Sequence, residues 1–260
     1  MPLTYGKYLH LDDLLAAQEP LSDGPEHDEL LFIVIHQVYE LWFKQILHEL
    51  DRLTRMLELA NTHHALAGLK RILTIMKTLV GQVDILETMT PTSFGSFRAR
   101  LATASGFESA QFRMVEFVLG YKREAALLHY PEGSPERALL ATRMAERTLW
   151  DAFARYLQRL GYAVPQAVLA RDVREQVAPN EAMQAVLLSI YRSDALTAQV
   201  CERLVDLDEG LQEWRYRHVK MVERTIGEKT GSGGSSGAQY LRSTLFRPLF
   251  PDLWAIRGQL

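Results

Sequence analysis

The sequence predicts an all-α protein folded as a single domain over residues 1–260. Apolar residues recur at three- and four-residue spacing through most of the chain, which is the period of an amphipathic helix. Runs of alternating β-branched residues, which would indicate strands, are nearly absent. No internal repeat and no linker composition occurs before residue 227, so we expect one large helical bundle rather than two joined domains.

The first half of the chain predicts two long helices. Asp28 to about Leu59 carries one continuous apolar stripe, and a second long helix is expected from about His64 to Met89. A helix of thirty residues is about 45 Å long at 1.5 Å per residue, enough to cross a domain of this size. The stripe of the first helix consists of Ile35, Val38, Trp42, Ile46, Leu50, Leu53 and Leu57.

Capping signals divide the middle of the chain. Thr90 followed by Pro91 predicts an N-cap and a first helical residue, for a short helix that ends near the sequence ASG at 104–106. Ser105 with Glu108 three positions later is a capping box, which predicts the start of the next helix. Gly120 suits the position just after the end of that helix.

The second half continues in the same way. Helices are expected from Pro135 to about Leu160, then a loop around 161–166, and then a helix capped by Asn180. A last long helix runs from about Asp194 to Ile226. It is followed by a Gly/Ser-rich segment at 227–240.

Composition and charge exclude several classes of protein. A net charge of −3 shows no basic excess, so no nucleic-acid partner is expected. Cys201 is the single cysteine, which excludes an internal disulfide, a multi-cysteine zinc site and the C-x-x-C-H attachment of a covalent haem. The longest strictly apolar run, Leu30 to Ile35, is too short to span a bilayer, and the N-terminal residues lack signal-peptide features. We therefore expect a soluble, cytoplasmic protein with no membrane partner.

Two histidines lie on apolar helix stripes. His36 is within LLFIVIHQVYELWF and shares a face with Phe32 and Glu40, and His218 follows Trp214 on the stripe of the last long helix. A single imidazole on such a stripe is most often a hydrogen-bonded core residue. Two of them on two different long helices favour a buried site.

The spacing of ligand-type residues favours haem over zinc at such a site. His48-Glu49 is followed by Arg52 where a zinc-protease motif requires histidine, so H-E-x-x-H is absent. Haem brings four nitrogens of its own and needs only one axial imidazole. A second histidine could act on the opposite side of the ring, although spacing alone leaves that open.

The sequence PTSFGSFRAR holds a candidate substrate clamp. Phe94 and Arg98 are four apart on a helix and share one face. A guanidinium beside an aromatic ring suits a small acid with a flat side chain, because it can grip a carboxylate with two hydrogen bonds. The alternative is that Arg98 is a surface arginine, as Arg100 is expected to be.

The segment GSGGSSG at 231–237 has the composition of a flexible connector. It matches neither the Walker A loop nor G-x-G-x-x-G, and no strand precedes it. Only residues 238–260 follow, too few to fold alone. We therefore expect the segment to serve the same domain, as a loop that closes over a site.

Together these segments resemble the tryptophan 2,3-dioxygenase family. The resemblance extends over almost the whole chain, in the order that the family has. It is carried by TYGKYL (4–9), LFIVIHQVYELWFKQ (31–45), FRARLATASGFESAQFR (97–113), RYRHVKMVERTIG (215–227) and GSGGSSGAQYLRST (231–244).

The resemblance implies an α-helical enzyme that depends on haem b, with ferrous iron in the active form. Such an enzyme inserts both atoms of O₂ across the C2–C3 bond of the indole of L-tryptophan, giving N-formyl-L-kynurenine, the first step of the kynurenine pathway. The resemblance also implies a homotetramer, in which the N-terminal segment of one subunit (residues 1–20) reaches into the pocket of its neighbour.

Matching positions imply roles for five residues of the central pocket. His218 resembles the proximal iron ligand, and His36 the distal histidine that hydrogen-bonds the indole N–H. Arg98 would hold the substrate carboxylate, and Phe32 and Phe94 would wall the indole. Burial favours a neutral His36, because desolvation lowers a histidine pKa. Since an indole N–H is a very weak acid, hydrogen bonding and orientation are the expected role of His36.

Other matching positions lie at the rim. Tyr5, Tyr8 and Leu9 would come from the adjacent chain, and Ser105 and Gly106 resemble the turn along the distal haem edge. The family usually has threonine after the first glycine of the Gly-rich loop, where a hydroxyl helps to hold the substrate. Here that position is Ser232, which keeps the hydroxyl but loses the β-branch, so we expect retained activity with a looser loop.

Three alternative functions remain open from the sequence. A broader-specificity indoleamine dioxygenase would turn over tryptamine, which Arg98 should reject because tryptamine lacks the carboxylate. A non-catalytic haem protein that binds O₂ would keep His218 but give Arg98 and Ser232 no task. A helical scaffold with buried histidines would bind no haem at all.

Overall fold

The protein is described by a computed structural model that covers residues 2–24, 26–102, 104–229, 231 and 237–260. Within these ranges there is no β-strand, so the all-α prediction is confirmed. The α-helices of the described residues are α1 (Tyr5–Leu9), α2 (Leu11–Ala16), α3 (Asp28–Glu58), α4 (Thr62–Leu86), α5 (Pro91–Phe97), α6 (Ala110–Val118), α7 (Pro135–Ala145), α8 (Leu149–Arg159), α9 (Gln166–Leu169), α10 (Glu181–Ser193), α11 (Ala195–Ile226), α12 (Ala238–Arg242) and α13 (Pro251–Ala255).

Three long helices form the frame. α3 and α11 each pack along α4, and α6 and α8 pack on the other side of α3. The apolar stripe expected on α3 is buried at Ile46, Leu50, Leu53 and Leu57, where it faces Leu69 of α4. Full burial of one such side chain contributes about 1.5–3 kcal/mol, so this layer supplies much of the cohesion of the frame.

α3 is also long and apolar enough, by length and composition only, to cross a membrane. Its contacts are those of a core helix instead, because α4, α6 and α8 all pack on it. It also buries two carboxylates, Glu29 and Glu49, which are stabilised by polar partners rather than by lipid.

The ends of the long helices differ little from the prediction. α3 and α11 begin and end within a residue of the expected positions, and Asp194 caps α11 by accepting hydrogen bonds from the first turn. α4 starts two residues earlier than expected, because the Asn61 side chain accepts the amide of His64 and acts as the N-cap. α10 is capped by Asn180 as predicted.

The region between α4 and α8 is more broken than the sequence predicts. Thr90 and Pro91 do start α5, but α5 ends at Phe97 and continues as a 3₁₀ turn through residues 98–101. The Ser105 capping box is present, yet it starts only the 3₁₀ turn at 106–108; Ser109 caps α6.

The boundaries of α6, α7 and α8 can also be compared with the prediction. The helices expected over 135–160 are α7 and α8, and α8 starts where Thr148 forms a second capping box with Asp151. Gly120 does occupy a positive-φ position after α6, at φ 102°.

The C-terminal residues are fixed to α11 by one buried carboxylate. Oδ2 of Asp208 accepts hydrogen bonds from the amides of Leu249 (2.8 Å) and Phe250 (3.1 Å) and from Nε1 of Trp254 (2.9 Å). Asp208 is completely buried. A buried carboxylate is costly unless hydrogen-bond donors surround it, so these bonds fix the end of the chain to the helix.

We expect Asp208→Ala to lower the free energy of unfolding by at least about 3 kcal/mol, because three buried donors lose their acceptor at about 1–3 kcal/mol each. Urea denaturation followed by circular dichroism measures the change. Glu209→Ala is the matched control, since Glu209 is the exposed neighbour on the same helix. Equal stability of the two variants would contradict the assignment.

Candidate functional site

One deep cavity lies between the first half of α3 and the last third of α11. The empty space within it is about 1610 Å³, including the part that opens to solvent. The end of α4, the 98–109 segment, α6 and α12 complete its walls. The residues that line it include both predicted histidines, His36 and His218, together with Phe32, Phe94, Arg98, Ser105 and Gly106.

His36 is positioned from within α3. Its Nδ1 lies 2.7 Å from the carbonyl oxygen of Phe32, one turn earlier, which is an acceptor only. Nδ1 therefore carries the proton, and Nε2 is left as a hydrogen-bond acceptor. Burial lowers the pKa of His36, and this outweighs the opposing effects of the Phe32 carbonyl and of Glu40. The ring is thus neutral at pH 7.

His218 is positioned on α11 in the same cavity. Burial, together with the nearby His36 and Arg113, lowers its pKa to about 4. Neither ring nitrogen of His218 has a hydrogen-bond partner among the described residues. A neutral imidazole with an available nitrogen is the form in which histidine binds metal ions. Among the described residues, in this cavity or outside it, no group of three or more His, Cys, Asp or Glu side chains is arranged to hold a metal ion.

Aromatic rings form one wall of the cavity beside His36. The ring centroid of Phe32 is 4.1 Å from that of His36, 5.8 Å from Phe94 and 5.6 Å from Phe97. Arg98 follows Phe97 directly and is half-buried at the edge of this wall. A flat aromatic ligand that carries a carboxylate would therefore meet aromatic surface and a guanidinium together.

A buried charge cluster forms another part of the cavity wall. The carboxylate of Glu116 is hydrogen-bonded to three guanidiniums: those of Arg113, Arg123 (2.9 Å) and Arg215 (2.8 Å). Burial alone would raise the pKa of Glu116, but the three arginines outweigh it and hold the pKa below its ordinary value. Three positive charges against one negative charge leave a surplus of two positive charges beside the cavity.

Two tyrosines extend this cluster. The ring of Tyr121 lies between two guanidiniums, with Arg123 at 4.6 Å and Arg215 at 4.5 Å from its centroid. The hydroxyl of Tyr240 accepts a hydrogen bond from Arg123, and its ring contacts Phe107 edge-to-face at 5.2 Å. α12 is thereby fixed to the turn that follows Ser105 and Gly106.

The structure thus brings together seven of the eleven residues that the sequence singled out, all of which line this cavity. Gly106 is close to His36, since a Cβ at this glycine would lie 4.0 Å from Cδ2 of the imidazole. Ser232 lies outside the described residues. Tyr5, Tyr8 and Leu9 are exposed, Tyr5 by 75% and Tyr8 by 70%, and none of the three lines the cavity of its own chain.

Sequence reasoning missed the charge cluster. Arg113 and Glu116 do stand out in QFRMVEFVLG as charges three apart in an otherwise apolar stretch, and that pattern could have indicated a buried pair. Arg215 and Tyr240 carried no comparable signal, because Arg215 meets Glu116, and Tyr240 meets Arg123, only through the tertiary arrangement of α11 and α12.

The fold and the site define an all-helical protein with a deep aromatic-walled cavity that holds two neutral imidazoles and is rimmed by arginine. A family model for tryptophan 2,3-dioxygenase matches residues 1–160 and 163–260. The chain therefore belongs to the tryptophan 2,3-dioxygenase family.

Individual relatives agree over their full length. A tryptophan 2,3-dioxygenase of Anaeromyxobacter sp. (strain K) is 61% identical over 99% of this chain and 96% of the relative. One of Herpetosiphon aurantiacus is 59% identical over 99% of this chain and 98% of the relative. The protein of the same name from Caulobacter vibrioides is 43% identical over similar shares.

We expect Glu116→Gln to lower the free energy of unfolding by roughly 3–5 kcal/mol, because it leaves three guanidiniums without their shared carboxylate. Thermal and urea denaturation measure this loss. Glu213→Gln, on the exposed face of α11, is the control and should change stability little. A Glu116→Gln protein as stable as that control would show that the cluster does not hold the cavity wall.

Proposed function

We propose that this chain is a haem-dependent dioxygenase that inserts both atoms of O₂ across the C2–C3 bond of L-tryptophan's indole, giving N-formyl-L-kynurenine. The observation that carries the proposal is the pair of neutral, partly buried histidines on α3 and α11 that line one cavity. Family membership and the names of its relatives support the substrate and the reaction. The whole chain, 1–260, would act as one cytoplasmic catalytic domain.

The residues of the cavity fit haem b. His218 offers a neutral imidazole nitrogen that has no hydrogen-bond partner among the described residues, which suits an axial ligand. The positive surplus around Glu116 lies on a cavity wall, and Arg113 and Arg215 line it, so two carboxylates could be neutralised there. Ser105 and Gly106 would lie along the haem edge on the side of His36. When bound, haem would supply ferrous iron that binds O₂.

The chain's own residues would bind and orient the amino acid. Nε2 of His36 is the free acceptor for the indole N–H, because Nδ1 is engaged with the carbonyl of Phe32. Arg98 would hold the carboxylate, and Phe32 and Phe94 would wall the ring. Holding both ends of tryptophan fixes where C2 and C3 lie, which is catalysis by positioning.

The Gly/Ser-rich segment 227–240 would complete the substrate site. Its described residues Gly231 and Gly237 line the cavity, and Ser232 would supply a hydroxyl to the substrate. The base of the segment is tight: a Cβ at Gly237 would lie 2.7 Å from the carbonyl oxygen of Lys229. Gly237 also has φ 59°, so only glycine suits the position.

We infer a homotetramer in which residues 1–20 of one subunit reach the cavity of another. Tyr5, Tyr8 and Leu9 are exposed on their own chain, although such side chains are usually buried. α3 in turn leaves Leu30 and Leu41 exposed on its outer face. Unpaired apolar surface on both segments supports burial against further copies.

The central experiment is anaerobic reduction of the haem-loaded protein, followed by O₂ and L-tryptophan, with detection of N-formylkynurenine. We expect His218→Ala to lose haem, and His36→Ala to keep haem with turnover reduced roughly tenfold, the value of one neutral hydrogen bond. His63→Ala, at an exposed position of α4, is the control. Absence of a Soret band after haem reconstitution would overturn the proposal.

The activity should depend on the protonation of His36. Its pKa is lowered, so His36 is neutral at pH 7 and becomes charged only below the ordinary value of 6.5. Charged His36 cannot accept the indole N–H, so kcat/KM should fall as the pH drops through that lowered pKa. A pH profile measures this. His36→Gln should abolish the acid limb, and an unchanged limb in that variant would assign it to another group.

A further inference from the structure

Trp214 lies directly on the imidazole of His218. It precedes His218 by four residues on α11, and side chains at this spacing lie one above the other on a helix. The two ring centroids are 5.1 Å apart and the planes are inclined by only 22°. The indole therefore covers one face of the imidazole.

Trp214 is itself held by aromatic rings from two other helices. Phe112 of α6 contacts it at 4.7 Å, and Tyr39 and Phe43 of α3 meet it nearly edge-on at 6.4 and 6.3 Å. Trp214 is buried. An indole packed on several sides has one available rotamer, so it presents a fixed surface to His218.

His218 has no such fixation from hydrogen bonds. A ligating histidine usually donates its second N–H to a carboxylate or carbonyl, which sets the orientation of the ring. Among the described residues no acceptor is bonded to either nitrogen of His218. Among the described residues, the ring that stacks on this imidazole and restricts its rotation is that of Trp214.

We propose that Trp214 is a positioning residue that sets the plane of the His218 ring for iron ligation. The proposal rests on the proposed function, in which His218 is the axial ligand. Without the indole the imidazole is free to rotate about its Cβ–Cγ bond, so its nitrogen spends less time aimed at the iron. A less oriented ligand would release haem faster and give a heterogeneous iron–histidine bond.

The test compares haem-loaded wild type with Trp214→Phe and Trp214→Leu. Haem transfer to excess apomyoglobin measures retention, and resonance Raman of the ferrous protein measures the iron–histidine stretch. For Trp214→Leu we expect haem transfer about tenfold faster and a shifted, broader band. Trp214→Phe keeps an aromatic face and should restore most of both properties.

Trp150→Leu is the matched control. Trp150 is also buried and stacks on Phe250 at the same 22°, but it does not line the cavity. It reports the effect of losing a buried indole from the core, so it should lower stability while leaving the Raman band and haem transfer unchanged.

Two results would overturn the inference. One is a Trp214→Leu protein with the wild-type Raman band and the wild-type rate of haem transfer. The other is a Trp150→Leu protein whose band and transfer rate change as much as those of Trp214→Leu, because the effect would then be one of general stability. If the band is missing from wild type or persists in His218→Ala, the proposed ligand itself is wrong and the inference falls with it. If wild type shows a normal band and Trp214→Leu is unaffected, the inference is wrong while the proposed function stands.

Discussion

The burial of the Glu116 carboxylate among three guanidiniums is the interaction on which the cavity depends. It joins α6, which carries Glu116 and Arg113, to α11 through Arg215 and to α12 through Arg123 and Tyr240. A buried carboxylate must be compensated, and this one can be compensated only when all of these elements are in place. The part of the cavity wall that holds Glu116 and its arginines therefore forms as one unit.

The cavity divides into an apolar part and a charged part with different tasks. Phe32, Phe94 and Phe97 exclude water around His36, and the loss of water keeps both histidines uncharged. The arginines supply positive charge at the edge, where carboxylates of a ligand can meet it.

Several elements follow from local sequence alone. The helices α3 and α11 are encoded by apolar periodicity, and Asn180 and Asp194 cap the helices they precede. The start of the helix after the 98–109 segment is not decided by local sequence, because Ser105 and Ser109 offer competing N-caps four residues apart. Which one starts the longer helix is decided by the packing of α6 on α3, and no local signal reports that packing.

For the site too, some features follow from the sequence and others only from the tertiary structure. Sequence pattern alone pointed to His36 and His218, because imidazoles on apolar stripes are conspicuous, and five matching motifs identified the family. Only the tertiary structure decided that both rings line one cavity, that three arginines share Glu116, and that Trp214 covers His218. Periodicity specifies which face of a helix is buried. The partner of that face is chosen by long-range packing between residues far apart in sequence, such as Glu116 and Arg215, which are 99 positions apart.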